Sequence, residues 1–163
     1  MSISSVMKKL PHTHSCFVCG LTNPVGLKLD FETDGITVQA RFVARHEHVG
    51  FKETLHGGIL ATILDEVMVW ACGVQTGHFA YCAELNVRYL LPVRPGDEIH
   101  AVAGPIVNRR GKLFEATGEL RDSRGNVLTT ATGKYLPIKE VAAAELAADF
   151  IGDTSMLSKN RSS

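Results

Sequence analysis

The sequence predicts an α+β domain in which an antiparallel sheet of about six strands wraps one long buried helix. Three observations predict it. Two short alternating segments, Leu27 to Phe31 and Ile36 to Phe42, flank Asp34-Gly35, a dipeptide that favours tight hairpins. Residues His56 to Cys72 then carry apolar side chains on nearly every helical face. Four further strand-like stretches follow, divided by turns rich in Gly and Pro.

In chain order, residues 1–15 are polar and without period and are expected to form a flexible tail. The domain itself is expected over residues 16–138. After the segment Cys16-Phe17-Val18-Cys19, Asn23-Pro24-Val25-Gly26 punctuates the chain and the first hairpin begins. The helix comes next, and then strands over Phe79 to Val93, Glu98 to Asn108, Lys112 to Arg121 and Val127 to Leu136. Pro137 ends the last of them. Residues 139–163 should hold a short Ala-rich helix, Glu140 to Phe150, and then a second flexible tail. Nothing repeats at a fixed period, which excludes solenoids and propellers. An open sheet edge invites pairing with a second copy, so a homodimer is expected, or a dimer of dimers.

Composition narrows the function classes. At 163 residues, with 45% hydrophobic and 21% charged, the chain can bury a core without disulfides or metal and is not disordered. Seventeen basic residues balance seventeen acidic ones without a single-sign block, so no nucleic-acid partner is expected. Lys8 and Lys9 are followed by Pro11-His12-Thr13-His14, not by an apolar run, so no secretory signal is expected. No apolar stretch is expected to reach spanning length, so no membrane partner is anticipated either. Four cysteines do not make a disulfide framework, and a reducing cytoplasm is the expected location.

The chemistry concentrates at His56-Gly57-Gly58 and at Asp65-Glu66. Two glycines at a helix start let a ligand approach the backbone amides, and the positive helix end favours a carbonyl oxygen gaining charge. The same glycines also suit a tight turn. A carboxylate inside a buried helix costs several kcal/mol unless it is satisfied, which points to use. Asp65 and Glu66 project about 100° apart, so only one can face a given substrate atom. Pairing with Arg41, Arg45 or Arg88, or a helix edge open to solvent, would equally satisfy either one. Gly57 and Asp65 lie eight residues apart, about 12 Å along a helix, so one carbonyl cannot touch both. A shared site would need Gly57 from one subunit and Asp65 from another.

With these residues in place, the chain resembles the hotdog-fold thioesterases of the phenylacetate-degradation type, within the 4-hydroxybenzoyl-CoA thioesterase superfamily. His56-Gly57-Gly58 with Asp65, Cys16-Phe17-Val18-Cys19-Gly20 with Asn23-Pro24-Val25-Gly26-Leu27, and Ala83-Glu84-Leu85-Asn86-Val87-Arg88-Tyr89-Leu90-Leu91-Pro92 carry the resemblance. It implies hydrolysis of an acyl-CoA or similar acyl-thioester. Gly57 N–H would bind the thioester oxygen beside Gly58, and Asp65 would act as general base or as nucleophile. His56 takes a supporting part, capping the helix or orienting the loop, and Glu66 is the reserve carboxylate. Cys82 stands where several relatives place Ser or Thr, and Gly50 where some place a polar side chain. Asn86 in the strand, with Cys82, is a candidate substrate contact. Trp70, with Met68 and Phe79, would line the acyl group or else belong to the core. Arg109 and Arg110 would meet the phosphates of coenzyme A or simply solvate a turn.

Cys16-x-x-Cys19 with His12 and His14 offers four zinc donors in one stretch, yet a single C-x-x-C is half the usual pattern. Two thiols bracing a loop is the preferred reading, with no metal and no cofactor, coenzyme A being part of the substrate. A redox role lacks a thioredoxin-like context. His46 and His48 are read as loop histidines. The function class competing with hydrolysis is a non-catalytic acyl-CoA-binding or regulatory module of the same fold. A dehydratase would want a histidine in the helix, and none is there.

Overall fold

The computed structural model describes residues 6–158. Its elements are β1 (Lys8–Lys9), β2 (His12–Thr13), β3 (Phe31–Thr33), β4 (Val38–Val43), β5 (Val49–Phe51), β6 (Thr54–Leu55), α1 (Gly57–Thr76), β7 (Ala80–Tyr89), β8 (Glu98–Ala103), β9 (Val107–Arg109), β10 (Leu113–Asp122), β11 (Val127–Pro137), α2 (Glu140–Ala148), β12 (Phe150–Ile151) and α3 (Ser155–Ser158). The main sheet runs β1-β3-β4-β8-β10-β11-β7, with β9 added beside β10. All its pairings are antiparallel. The sheet curls round α1, which packs against β4, β7, β8, β10 and β11. This is the hotdog arrangement expected from the sequence.

Local chemistry explains the elements. Asp34 Oδ1 accepts from the amides of Ile36 and Thr37 at 2.9 and 2.7 Å, and Gly35 takes φ 93°, which closes the β3–β4 hairpin. Along β4, β8 and β10 the inward row is apolar: Val38, Ala40 and Phe42 meet Ala103, Ala101 and Ile99 across the ladder. Ile63, Leu64, Val67, Met68 and Ala71 of α1 fill the concave face and are fully buried. Burial of one such Ile, Leu, Val or Met side chain contributes about 1.5–3 kcal/mol. Gly77 ends the helix in the left-handed region (φ 73°), its N–H returning to Gly73 O.

Several expectations need correction. The helix runs four residues past Cys72. At 20 residues with mean hydropathy 1.5, α1 is in fact long and apolar enough to cross a membrane. Its packing inside the sheet accounts for that apolarity. The stretch read as a tail at residues 1–15 contains β1, paired with β3, and β2, paired with β12 near the other end of the chain. Its residues 1–5, and residues 159–163 of the second tail, lie outside the described residues. Strand pairing begins at Phe31, not at Leu27, although Leu27 and Leu29 are buried. The predicted strand Glu98 to Asn108 is interrupted at Gly104-Pro105, where Gly104 has φ 110° and Pro105 has no N–H to give a ladder.

Candidate active site

At the start of α1, His56 is the N-cap: its Nδ1 accepts from Gly58 N–H at 2.8 Å. Ile59 N–H donates to His56 O at 2.9 Å. Gly57 N–H is thereby left without a partner among the described residues, at the positive end of a 20-residue helix. Tyr89, at the end of β7, donates its hydroxyl to Gly57 O at 2.8 Å. A Cβ on Gly57 would sit 3.1 Å from the Tyr89 ring, so the glycine permits this approach. Gly57, Leu60, Tyr89, Leu90 and Pro92 line a cleft of about 290 Å³ beside the free amide.

Two helical turns on, Asp65 is half-buried and accepts a hydrogen bond from Tyr135 Oη at 3.0 Å. Tyr135 is wholly buried on β11, and burial together with the Asp65 charge holds its phenol far above the usual range. It is therefore a permanent donor to that carboxylate. Gly133, two residues earlier on the same face, leaves the space for the ring, since a Cβ there would come within 2.5 Å of it. Cys82 of β7 lies opposite Tyr135, its sulfur donating to Glu84 O at 3.6 Å, and near enough to Asp65 for the carboxylate charge to bear on it. Burial and the Asp65 charge push the Cys82 thiol up to about 11. A bulge at Ala83 turns Cys82 inward: Tyr135 pairs with Cys82 but Lys134 with Glu84.

Glu66 faces elsewhere. Its Oε1 accepts from Trp70 Nε1 at 3.1 Å and lies 3.3 and 3.5 Å from the sulfurs of Cys16 and Cys19. Burial, then the Cys16 sulfur, push its carboxyl up to about 8. The hydrogen bond from Cys19 lowers the Cys16 thiol to about 5, and Cys19 is correspondingly raised.

Residues 52–129 match the family model of the thioesterase superfamily. That segment, a little under half of the chain, is similar to the thioesterase superfamily. A Caenorhabditis elegans protein, F42H10.6, a candidate esterase by name, is 36% identical over 94 residues, covering 57% of this chain and 54% of that protein. The chain thus spans about half the length of the curated relative it matches. Among solved structures, PaaI from the phenylacetic acid degradation operon of Escherichia coli superposes with TM-score 0.63 at 19% identity, over 69% of this chain and 81% of that one. Thioesterase HI1161 of Haemophilus influenzae gives 0.65 at 19%, over 74% and 85%. The protein smu.793 of Streptococcus mutans, solved bound to acetyl CoA, gives 0.58 at 16%, over 63% and 81%. These likenesses are to the hotdog fold.

Among the sequence-derived candidates, Cys82 lies close enough to Asp65 to feel its charge, and His56, Gly57 and Gly58 form the start of α1. The other candidates are placed apart. Glu66 is committed to Cys16, Cys19 and Trp70, so it does not share the Asp65 environment. Trp70, 1% exposed, packs on Phe31, Phe79 and Phe150 and serves the core, because its i,i+4 spacing from Glu66 puts it on that face. Asn86 lies beyond the bulge on the outer sheet face, bonded to Glu84 and beside Arg88 and Thr132. Arg109 is held by Glu115 at 2.8 Å, and Arg110 is exposed with φ 57° at the hairpin tip. Of the helix partners considered, none of Arg41, Arg45 or Arg88 forms an ion pair with Asp65 or Glu66. Sequence reasoning missed Tyr135 and Tyr89. The Gly133-x-Tyr135 spacing, a gap before a buried phenol on the inner row, was the available signal for the first.

Proposed function

We propose that the chain hydrolyses the thioester bond of an acyl-coenzyme A as a homodimer, each of two equivalent sites drawing Gly57 from one subunit and Asp65 from the other. The observation that carries this reading is the unpartnered Gly57 amide, two helical turns from a tyrosine-held Asp65. Both groups adjoin β7, the open edge of the sheet. Tyr89 marks the Gly57 end of that edge and Cys82 the Asp65 end. If two β7 edges pair antiparallel about their middles, the Cys82 end of one meets the Tyr89 end of the other. Tyr81, Tyr89, Leu90 and Leu91 are exposed along and just beyond this edge, as an unpaired interface would be.

In the reaction, the thioester oxygen accepts from Gly57 N–H, which holds the negative charge as the tetrahedral intermediate forms. Asp65 either takes a proton from the attacking water or attacks the carbonyl itself, and collapse expels the coenzyme A thiolate; on the second route water then cleaves the acyl–Asp65 anhydride, releasing the acid and restoring the carboxylate. Tyr135 ties up one Asp65 oxygen and leaves the other for this work. The acetyl CoA bound to the Streptococcus mutans relative supports the coenzyme A assignment. We place the protein in the cytoplasm, a compartment that suits its four free thiols. The test is a thiol-release screen on short, long and aromatic acyl-CoAs with wild type and Asp65→Asn. Turnover in the wild type that falls by orders of magnitude in the variant is expected, with Glu66→Gln falling less. No turnover on any substrate would replace the hydrolase with an acyl-CoA-binding module.

A further inference from the structure

We propose that Cys16, Cys19 and Glu66 form a binding site for a divalent metal of zinc's class, joining the N-terminal segment to α1. The three donor atoms lie within 4.8 Å of one another, outside the site described above. A tetrahedral zinc, at about 2.3 Å from sulfur and about 2.1 Å from oxygen, sets its sulfur and oxygen ligands about 3.6 Å apart. The Glu66 oxygen is 3.3 and 3.5 Å from the two sulfurs, so an ion fits with small adjustments.

The loop has the form that such a site needs. Residues 16–20 make a tight turn, Gly20 N–H donating to Cys16 O at 2.8 Å, and Val18 N–H points at the Cys16 sulfur at 3.3 Å. A Cβ at Gly20 would lie 2.3 Å from Cys16 O, so only glycine closes the turn. Trp70 Nε1 orients the carboxylate, and the Thr13 hydroxyl touches the Cys19 sulfur at 3.4 Å. Three acidic groups converge here, and among the described residues no Lys, Arg or His forms an ion pair with Glu66. Binding would release protons held among these groups, and a dication would balance the charge so formed. Cys16 is half-buried, so solvent can approach the cluster and a water would complete the coordination. His12 is not a ligand, because its Nε2 is 2.7 Å from Asp30 and its Nδ1 contacts Cys19 O. The sequence alone offered half a pattern because the third donor lies 47 residues beyond Cys19.

The experiment uses the full chain, stripped with chelator under reducing conditions and titrated with cobalt(II), then with zinc(II). About one cobalt per chain should bind, with thiolate-to-metal charge-transfer absorption and tetrahedral ligand-field bands, and zinc should displace it. Cys16→Ser with Cys19→Ser should abolish the charge-transfer band, and Glu66→Gln should weaken binding by about 10- to 100-fold. Circular dichroism confirms that each variant is folded, and the wild-type spectrum stands independently of them. Absence of a cobalt–thiolate band in the wild type would overturn the proposal. So would a band that persists in the double variant. Loss of two thiols to oxidised glutathione, with no metal uptake by the reduced protein, would overturn it too and make the pair a redox dithiol.

Discussion

Two inactive chains should restore each other if Gly57 and Asp65 of different subunits share a site. Along α1 these residues are eight apart, about 12 Å, and α1 is continuous from Gly57 to Thr76, so no bend brings them together. Take one chain carrying Asp65→Asn and a second carrying Gly57→Val. The first keeps its shape but cannot accept a proton or attack. The second crowds the Tyr89 ring, which already stands 3.1 Å from the position of a Cβ at residue 57, and fills the approach to the free amide. In a mixed dimer one site holds both lesions and the other holds neither. Random exchange makes about half the dimers mixed, so about a quarter of wild-type thiol release should return. Subunit exchange is driven by mild denaturant and verified by native mass spectrometry, with circular dichroism confirming that Gly57→Val is folded. Verified mixed dimers without activity would refute the shared site, and so would a wild-type chain that runs as a monomer.

Tyr135→Phe removes the 3.0 Å hydrogen bond to Asp65 from a buried position. It should lower stability by about 1–3 kcal/mol in denaturant melts and reduce kcat with little change in KM; unaltered kcat would remove Tyr135 from the site. Cys82, pushed up to about 11, should be only about one part in a thousand thiolate at pH 8 and alkylate slowly despite its exposure. Asp65→Asn removes a negative charge that opposes ionisation, so iodoacetamide should label Cys82 faster, read by peptide mass spectrometry. An equal rate in both proteins would place the Asp65 charge away from the thiol.

Elements set by neighbours in sequence were legible, and those set by distant chain were not. Asp34-Gly35 reports its own turn, and an all-round apolar helix reports its own burial. His56 was readable as a cap because a cap acts within the first turn. Tyr135 reaches Asp65 across 70 residues, and its inner-row position depends on where β11 pairs. The bulge at Ala83 sends Cys82 inward and Asn86 outward, although the two are an even number of residues apart and alternation alone puts them on one face. Residues 12–13 looked like tail because their pairing partner, residues 150–151, is at the far end of the chain.

Two adjacent carboxylates on one buried helix are not redundant. The turn of about 100° between Asp65 and Glu66 is enough to send one toward β11 and the β7 edge and the other toward the N-terminal loop. Each then acquires a different donor set: a phenol held far above its usual range for Asp65, and two sulfurs and an indole N–H for Glu66. Only Asp65 adjoins an edge that a second subunit can complete, which is the condition the 12 Å separation from Gly57 imposes. The carboxylate with fewer partners of its own is the one that the proposed reaction uses, and its neighbour ties into the fold a segment that lies outside the thioesterase match of residues 52–129.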